Sequence, residues 1–199
     1  MSRHILLLFS LFVWAACASD HIDTEADTTP PAATPAAAPK AAKQPAARAV
    51  NGQTVPTTDE TLLLTALSTQ VAAGKEACVQ FRADGFTGIL GTQYTIRWDA
   101  DKLRYKKTQV GQFPGFTAQN INESMTKEGL LPLAWIDNEL RGVTLPAGTV
   151  LYQLCFDAIG AAGTQATVGF TNKPTSYEVV NVAEQILTFR GQDGTVTIE

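Results

Sequence analysis

The chain has 199 residues, enough for one domain of ordinary size with length to spare, and it is 45% hydrophobic and 17% charged with a formal net charge of −4. An acidic balance offers nucleic acid no basic face, so that class of partner is set aside. Both histidines, His4 and His21, fall near the start and none of the three cysteines forms a CxxC pair, which excludes a Ser-His-Asp or Cys-His site, a histidine-ligated metal and a zinc ribbon from whatever folds beyond them.

Arg3 and His4 precede an apolar run from Ile5 to Ala16. Such a run makes a helix of about 18 Å, short of a hydrocarbon core of ~30 Å. Residues 1–16 therefore read as a secretory signal peptide rather than a membrane span. The run ends Trp14-Ala15-Ala16-Cys17. Small residues before a cysteine resemble the bacterial lipobox, which implies lipidation of Cys17. Trp14 stands where that motif prefers leucine, and Ala16-Cys17-Ala18 also fits ordinary signal cleavage, so plain secretion is the alternative.

Residues 17–55 read as a stalk. Asp20, Asp23, Glu25 and Asp27 open it with no basic residue among them. An acidic patch behind a lipidated cysteine resembles the surface-export signal of Bacteroidota lipoproteins; the solvated start of a linker explains it as well. Prolines at 30, 31, 35, 39 and 45 then interrupt an alanine-rich stretch that carries no large apolar side chain before Val50. Proline removes backbone donors, and so little apolar surface cannot offset the entropy of ordering.

Past residue 55 short alternating runs are separated by Gly, Asp, Asn and Pro. Glu76 to Arg82 turns Val79 and Phe81 to one face, Gln93 to Asp99 turns Tyr94, Ile96 and Trp98, and Thr149 to Phe156 turns Val150, Tyr152, Leu154 and Phe156. Leu133 to Ile136, Ala166 to Phe170 and Gly194 to Ile198 behave alike. One buried face per strand predicts two antiparallel sheets packed face to face. Leu62 to Val71 is ambiguous between helix and strand, with Thr65, Ser68 and Thr69 favouring a first strand. About nine strands in about 139 residues is the size of a β-sandwich.

Several stretches resemble the cohesin family, in particular the cohesin-like domains of Bacteroidota surface proteins. They are Ala77 to Phe81 with Gly85-Phe86, Ile89 to Asp99, Leu103-Arg104-Tyr105, Leu133 to Asp137 and Gly142 to Pro146. The tail matches best, through Gly148 to Tyr152, Phe156-Asp157, Glu178 to Asn181 and Asp193 to Thr197. The resemblance spans residues 61–199 in the family's order. It implies a nine-stranded jelly-roll β-sandwich, close also to some carbohydrate-binding modules, with no catalytic activity and no cofactor. It implies a monomer that binds a dockerin-like protein module in polysaccharide-degrading assemblies, with polysaccharide itself as the alternative ligand. With the lipid on Cys17 as its only membrane contact, the domain is expected at the outer-membrane surface.

The same resemblance sets residue-level expectations. It places the strands of Cys78 and Cys155 side by side; both thiols have outward parity, so a cross-strand disulfide is expected in an oxidising compartment. It places the partner on the sheet of the third, fifth and sixth strands, here Thr92 to Asp99, somewhere in Ala118 to Asn122, and Leu133 to Asp137. Gln93, Thr95, Arg97, Ala134 and Ile136 then project outward, with Asp137 at the strand end. Gln93 replaces an acidic residue common in cellulosomal cohesins. Trp98 and Trp135 have inward parity, leaving Tyr105, Phe113, Phe116 and Tyr177 as the aromatics open to a sugar. Asp99 and Asp101 read as a turn cap, with Ca²⁺ binding as the alternative. Asp137 and Glu139 are loop acids more than a glycosidase pair.

Overall fold

Alternation of buried and open side chains runs through the computed structural model, which describes residues 56–199 in full and, before them, only the backbone of residues 42–43, 49–50 and 53–54. The signal peptide at 1–16, Cys17 and nearly all of the stalk lie outside the described residues. From Thr57 onward there are eleven strands: β1 (Thr57–Ala66), β2 (Thr69–Val71), β3 (Glu76–Asp84), β4 (Ile89–Trp98), β5 (Leu103–Val110), β6 (Leu130–Ile136), β7 (Thr149–Ala158), β8 (Gln165–Thr171), β9 (Glu178–Asn181), β10 (Ile186–Gln192) and β11 (Gly194–Ile198). The ambiguous segment at 62–71 is extended, because Leu62, Leu64 and Ala66 are buried at period two beside β10.

The first layer has the order β5-β7-β3-β1-β10, antiparallel except for the parallel pair β1/β10. The second has the order β2-β11-β8-β4-β6, with β9 following β8 along the same edge of β4. A single pair, Val180 opposite Ile186, joins the layers through β9 and β10. Ala42–Lys43 lies antiparallel to Arg190–Gly191 of β10, and Ala49–Val50 pairs with Gln53–Thr54.

The expected count of nine strands is corrected to eleven for a physical reason. At residues 67–68 and at Asp193 the chain crosses from one layer to the other, splitting one strand into β1 and β2 and another into β10 and β11. The strand opposite β4 is also broken. Thr171 pairs with Thr95 and Glu178 with Gln93, so residues 172–177 leave the sheet and return to it. The expected fifth strand is not a strand at all: Ala118–Asn120 is a 3₁₀ turn, capped by Thr117, after which Ile121 makes one bridge to Leu133.

The core lies between the inner faces. Phe81 stacks on Tyr152 at 4.9 Å and Tyr94 on Phe189 at 5.3 Å. The Tyr94 and Tyr152 hydroxyls meet across the layers at 2.8 Å, which gives two buried polar groups one another. Burial pushes both phenols above the ordinary tyrosine pKa. Phe113 and Phe116, stacked at 5.1 Å, are buried beside Tyr152 and Trp135. The Cys78–Cys155 disulfide is present, between residues that oppose each other on β3 and β7. Cys155 has the outward parity expected of it yet is fully buried, flanked in register by Cys78 and Lys107.

Candidate functional site

The outer side of the second layer is built in rows. Across β6, β4 and β9 one row reads Ala134, Gln93, Glu178 and the next reads Ile136, Gly91, Val180. Gly91 has no side chain to offer, so the second row is a notch between two branched aliphatic residues. The notch opens into a groove of about 420 Å³, to which Leu90 and Leu140 also contribute. Ile136 is 56% exposed, Leu140 64% and Val182 50%, among only five large apolar side chains that are exposed in the described residues. Val182 lies outside the groove lining: its amide donates to Gly88 O, and Gly142 leaves the space its side chain occupies.

Leu140 is held out by the turn that follows β6. The Asp137 carboxylate accepts the amides of Glu139 (3.0 Å), Arg141 (3.0 Å) and Gly142 (2.9 Å), and Asp137 O accepts that of Leu140 (3.0 Å). Leu140 has φ 53, the left-handed region that a branched side chain rarely enters. The Glu139 amide, followed by those of Arg141 and Gly142, holds the Asp137 carboxyl below its usual pKa.

Of the six expected contact residues, Gln93, Ala134 and Ile136 come together at the groove. Thr95 is corrected: it is fully buried. The excursion at 172–177 lies over it, with Thr175 N donating to Thr95 Oγ1 at 3.1 Å. Arg97 does reach the outer side but is occupied there. It forms an ion pair with Asp193 and donates from Nε to Phe170 O. Asp137 ends β6 as expected, with its carboxylate turned to its own loop rather than outward. The residues that sequence reasoning passed over are Gly91, Leu140, Glu178 and Val180. A glycine inside a strand pattern is a signal of close approach, and Gly91 carried it; Leu140 had none, because its exposure depends on a turn conformation.

Other candidates settle into structural roles. Asp99 caps a turn, accepting the Asp101 amide at 3.2 Å and an ion pair from Lys102 at 2.7 Å. Glu139 pairs with Arg141 at 3.2 Å. The Asp137 carboxylate is taken up by three amides of its own turn and the Glu139 carboxylate by Arg141. Phe113, Phe116 and Tyr177 are buried. Tyr105 is half-buried, and its hydroxyl donates to Glu123 at 2.7 Å; desolvation pushes its pKa up to about 12. These rings form no open platform for a sugar.

The architecture is that of cohesin modules. The sixth cohesin of scaffoldin B from Acetivibrio cellulolyticus, crystallised with a Cel5 dockerin mutant, matches with a TM-score of 0.58 and 19% identity, over 70% of this chain and 99% of that one. A type I cohesin–dockerin complex from Clostridium thermocellum gives a TM-score of 0.58 at 13% identity, over 72% and 97%. A non-cellulosomal cohesin from the archaeon Archaeoglobus fulgidus gives 0.53 at 11%, over 70% and 91%. No family model and no curated protein matches the chain.

Proposed function

We propose that this chain is a non-catalytic recognition module that binds a protein partner of the dockerin type through the β6–β4–β9 face. On this reading Cys17 carries lipid, residues 17–55 are the stalk, and the sandwich is displayed as a monomer at the outer-membrane surface of a polysaccharide-degrading bacterium. The observation that carries the proposal is the notch at Gly91, walled by the exposed Ile136 and by Val180 and overhung by Leu140. Aliphatic side chains around a concavity with a polar rim are the anatomy of a protein-binding core. Single exposed apolar residues are unremarkable, but several converging on one groove of a small domain are not. The same fold is seen with dockerins bound in the structures above. Polysaccharide is the weaker ligand here, because each aromatic ring in the described residues is buried except the half-buried Tyr105.

The test is capture. The full chain is immobilised and offered lysate of its host, with insoluble polysaccharide in parallel, and retained proteins are identified by mass spectrometry. A dockerin-bearing protein is expected on the wild type and lost on Ile136→Asp, since burying a charge at an anchor position costs about 2 kcal/mol or more. Circular dichroism of the variant should be unchanged. Equal retention by a folded Ile136→Asp chain removes the face from consideration, and retention of polysaccharide alone removes the protein-partner reading. Anchoring is tested apart, by metabolic labelling with a fatty-acid analogue; equal labelling of Cys17→Ala refutes the lipid.

A further inference from the structure

The far end of the second layer carries a surface of another kind. On the outer side of β2, β11 and β8 one row reads Gln70, Thr197, Gln165, and in the next Thr195 lies opposite Thr167. Ser68, where the chain crosses between the layers, closes that second row: its Oγ accepts the Thr195 amide at 3.0 Å. Thr195 and Thr197 are half-buried, while Gln70 and Gln165 on either side are exposed. Short branched side chains therefore make a floor and two long amides make the walls. The hollow measures about 440 Å³ and shares no lining residue with the Gly91 groove.

Its chemistry is narrow. No lining side chain is charged. Beyond it lie the Arg97–Asp193 pair, self-neutralising across Gly169, and Glu199, two residues past Thr197. An ionic ligand thus finds no counter-charge in the hollow, and an apolar side chain finds only threonine methyls. The Gln70 and Gln165 amides and the Thr195 and Thr197 hydroxyls make no side-chain hydrogen bond among the described residues. Each of these groups can both donate and accept. They are set out about 4.8 Å apart across the strands and about 7 Å apart along them. The ligand that matches such a grid is uncharged, donates and accepts at many positions around a ring, and has C–H faces to rest on methyl groups. That is a neutral sugar.

We infer that the hollow on β2, β11 and β8 is a second binding site, for a neutral glycan, with Gln70 and Gln165 bonding ring hydroxyls from two sides and Thr195 and Thr197 doing so from beneath. It is separate from the protein-binding face and does not rest on it. With no aromatic ring to stack on, the site draws its selectivity from hydroxyl groups. A site built to pair hydroxyls discriminates against a ligand that lacks them, because its own polar groups are then left unpaired.

The probes are cellohexaose, xylohexaose and mannohexaose, with hexagalacturonate as the charged control, each titrated into the full chain labelled with nitrogen-15. Backbone amide and glutamine side-chain signals are followed by NMR. At least one neutral hexasaccharide should shift Gln70, Gln165, Thr195 and Thr197 saturably, and hexagalacturonate should bind more weakly. Thr197→Val keeps the branched shape and removes the hydroxyl. It and Gln165→Ala should each weaken binding about five-fold, the loss of one neutral hydrogen bond, with circular dichroism unchanged. Ile136→Asp should bind the sugar as the wild type does. The inference is overturned if no neutral hexasaccharide gives a saturable shift, if the shifts fall elsewhere or survive both Thr197→Val and Gln165→Ala, or if hexagalacturonate binds as well as the neutral sugars. Protein capture stands or falls on Ile136→Asp, so the two readings fail separately.

Discussion

The two outer faces of the sandwich come from the same alternation and end in opposite states. On the first layer the solvent-side charges around Glu76 and Asp157 satisfy one another, while Arg82 and Arg190 join no ion pair of the described residues. Lys106 reaches Glu76 at 2.7 Å and Asp157 at 3.5 Å, Lys107 reaches Glu76 at 3.3 Å, Arg104 reaches Asp157 at 3.1 Å, and Gln153 donates to Gln109. The disulfide crosses the middle of this face. On the second layer the β6–β4–β9 end leaves aliphatic side chains exposed and Glu178 outside the ion pairs of the described residues, while the β8 end is closed by Arg97 and Asp193. A cluster whose charges are internally neutralised, as around Glu76 and Asp157, has little left for a partner to desolvate profitably. A face with an apolar notch gains by being covered. Parity alone does not separate the two; the residue types placed at the outward positions do.

If that division is correct, a lesion on the first face changes stability and not recognition. The largest effect is expected from opening the disulfide. A Cys78→Ala/Cys155→Ala chain loses a cross-link that spans 77 residues of sequence. Removal of such a bond typically costs about 2–5 kcal/mol, chiefly by freeing the unfolded chain. Urea unfolding should show the free energy of unfolding lowered by that amount, and the protein captured on the wild type should be retained unchanged below the transition. A folded double variant that fails to bind would mean the faces are coupled, and the division would fall.

Two glycines of the second layer give a sharper contrast within one sheet. Gly169 opposes Arg97, and a Cβ there would sit 1.8 Å from Asp193 Oδ1. The Asp193 carboxylate occupies that space, taking the Phe170 amide at 3.1 Å and the Arg97 guanidinium at the crossing from β10 to β11. Gly169→Ala displaces it and should cost about 2 kcal/mol, the loss of charged hydrogen bonds. Gly91→Ala meets only the Trp135 carbonyl oxygen within the tight range, at 3.3 Å, so the strand must yield by a few tenths of an ångström, and the cost should stay within about 1 kcal/mol. Thermal melts of the pair decide it. Equal destabilisation would show that the Gly91 notch is a packing necessity rather than a binding feature.

What was legible in the sequence follows from what period two encodes. Val79, Phe81, Tyr94, Ile96, Trp98, Tyr152, Leu154 and Phe156 are buried as their alternation predicts. Cys78 and Cys155 meet because the topology implied by the resemblance sets their strands together. What alternation cannot encode is what lies over a strand. Thr95 has outward parity, yet it is covered by the excursion at 172–177, whose return to the sheet is a tertiary event. Cys155 is buried among its cross-strand neighbours for the same reason. Outward parity also says nothing about occupancy, so Arg97 looks free until Asp193 arrives from 96 residues away. The groove was half visible: Ile136 and Ala134 through parity and Gly91 as a glycine inside a strand pattern, but Val180 only once β9 was known to lie beside β4. Leu140 depended on a left-handed turn fixed by Asp137.

The smallest effect separates the faces by how each holds its carboxylates. Asp137, beside the groove, is held below the ordinary range first by the Glu139 amide and then by those of Arg141 and Gly142. On the first face Asp157 is lowered first by Arg104, with Lys106 adding to it, and Glu76 first by Lys106, then by Lys107. All three have folded pKa values below their unfolded ones. Their stabilisation is therefore complete above the unfolded carboxylate pKa and is lost as pH falls through the folded one. Lys106 is raised, first by Glu76, so its share is complete below the unfolded lysine pKa and is lost as pH rises through the folded one. Glu76, Asp157 and Lys106 thus make the first face sensitive at both ends of the pH scale, whereas Asp137 makes the groove face sensitive at the acid end. Salt distinguishes the causes. Exposed ion pairs are screened within about 4–5 Å at about 0.5 M salt, whereas amide donors in direct contact with a carboxylate are fixed dipoles that salt does not remove. Carboxyl-carbon NMR titrations at low and high salt should find Asp157 and Glu76 moving up toward ordinary values and Asp137 staying low. The amide shifts of Glu139, Arg141 and Gly142 should titrate with Asp137 in both conditions. Should Asp137 rise with the other two, its pKa is set by the nearby Arg141 charge, and the turn that presents Leu140 is held by an ion pair rather than by its backbone.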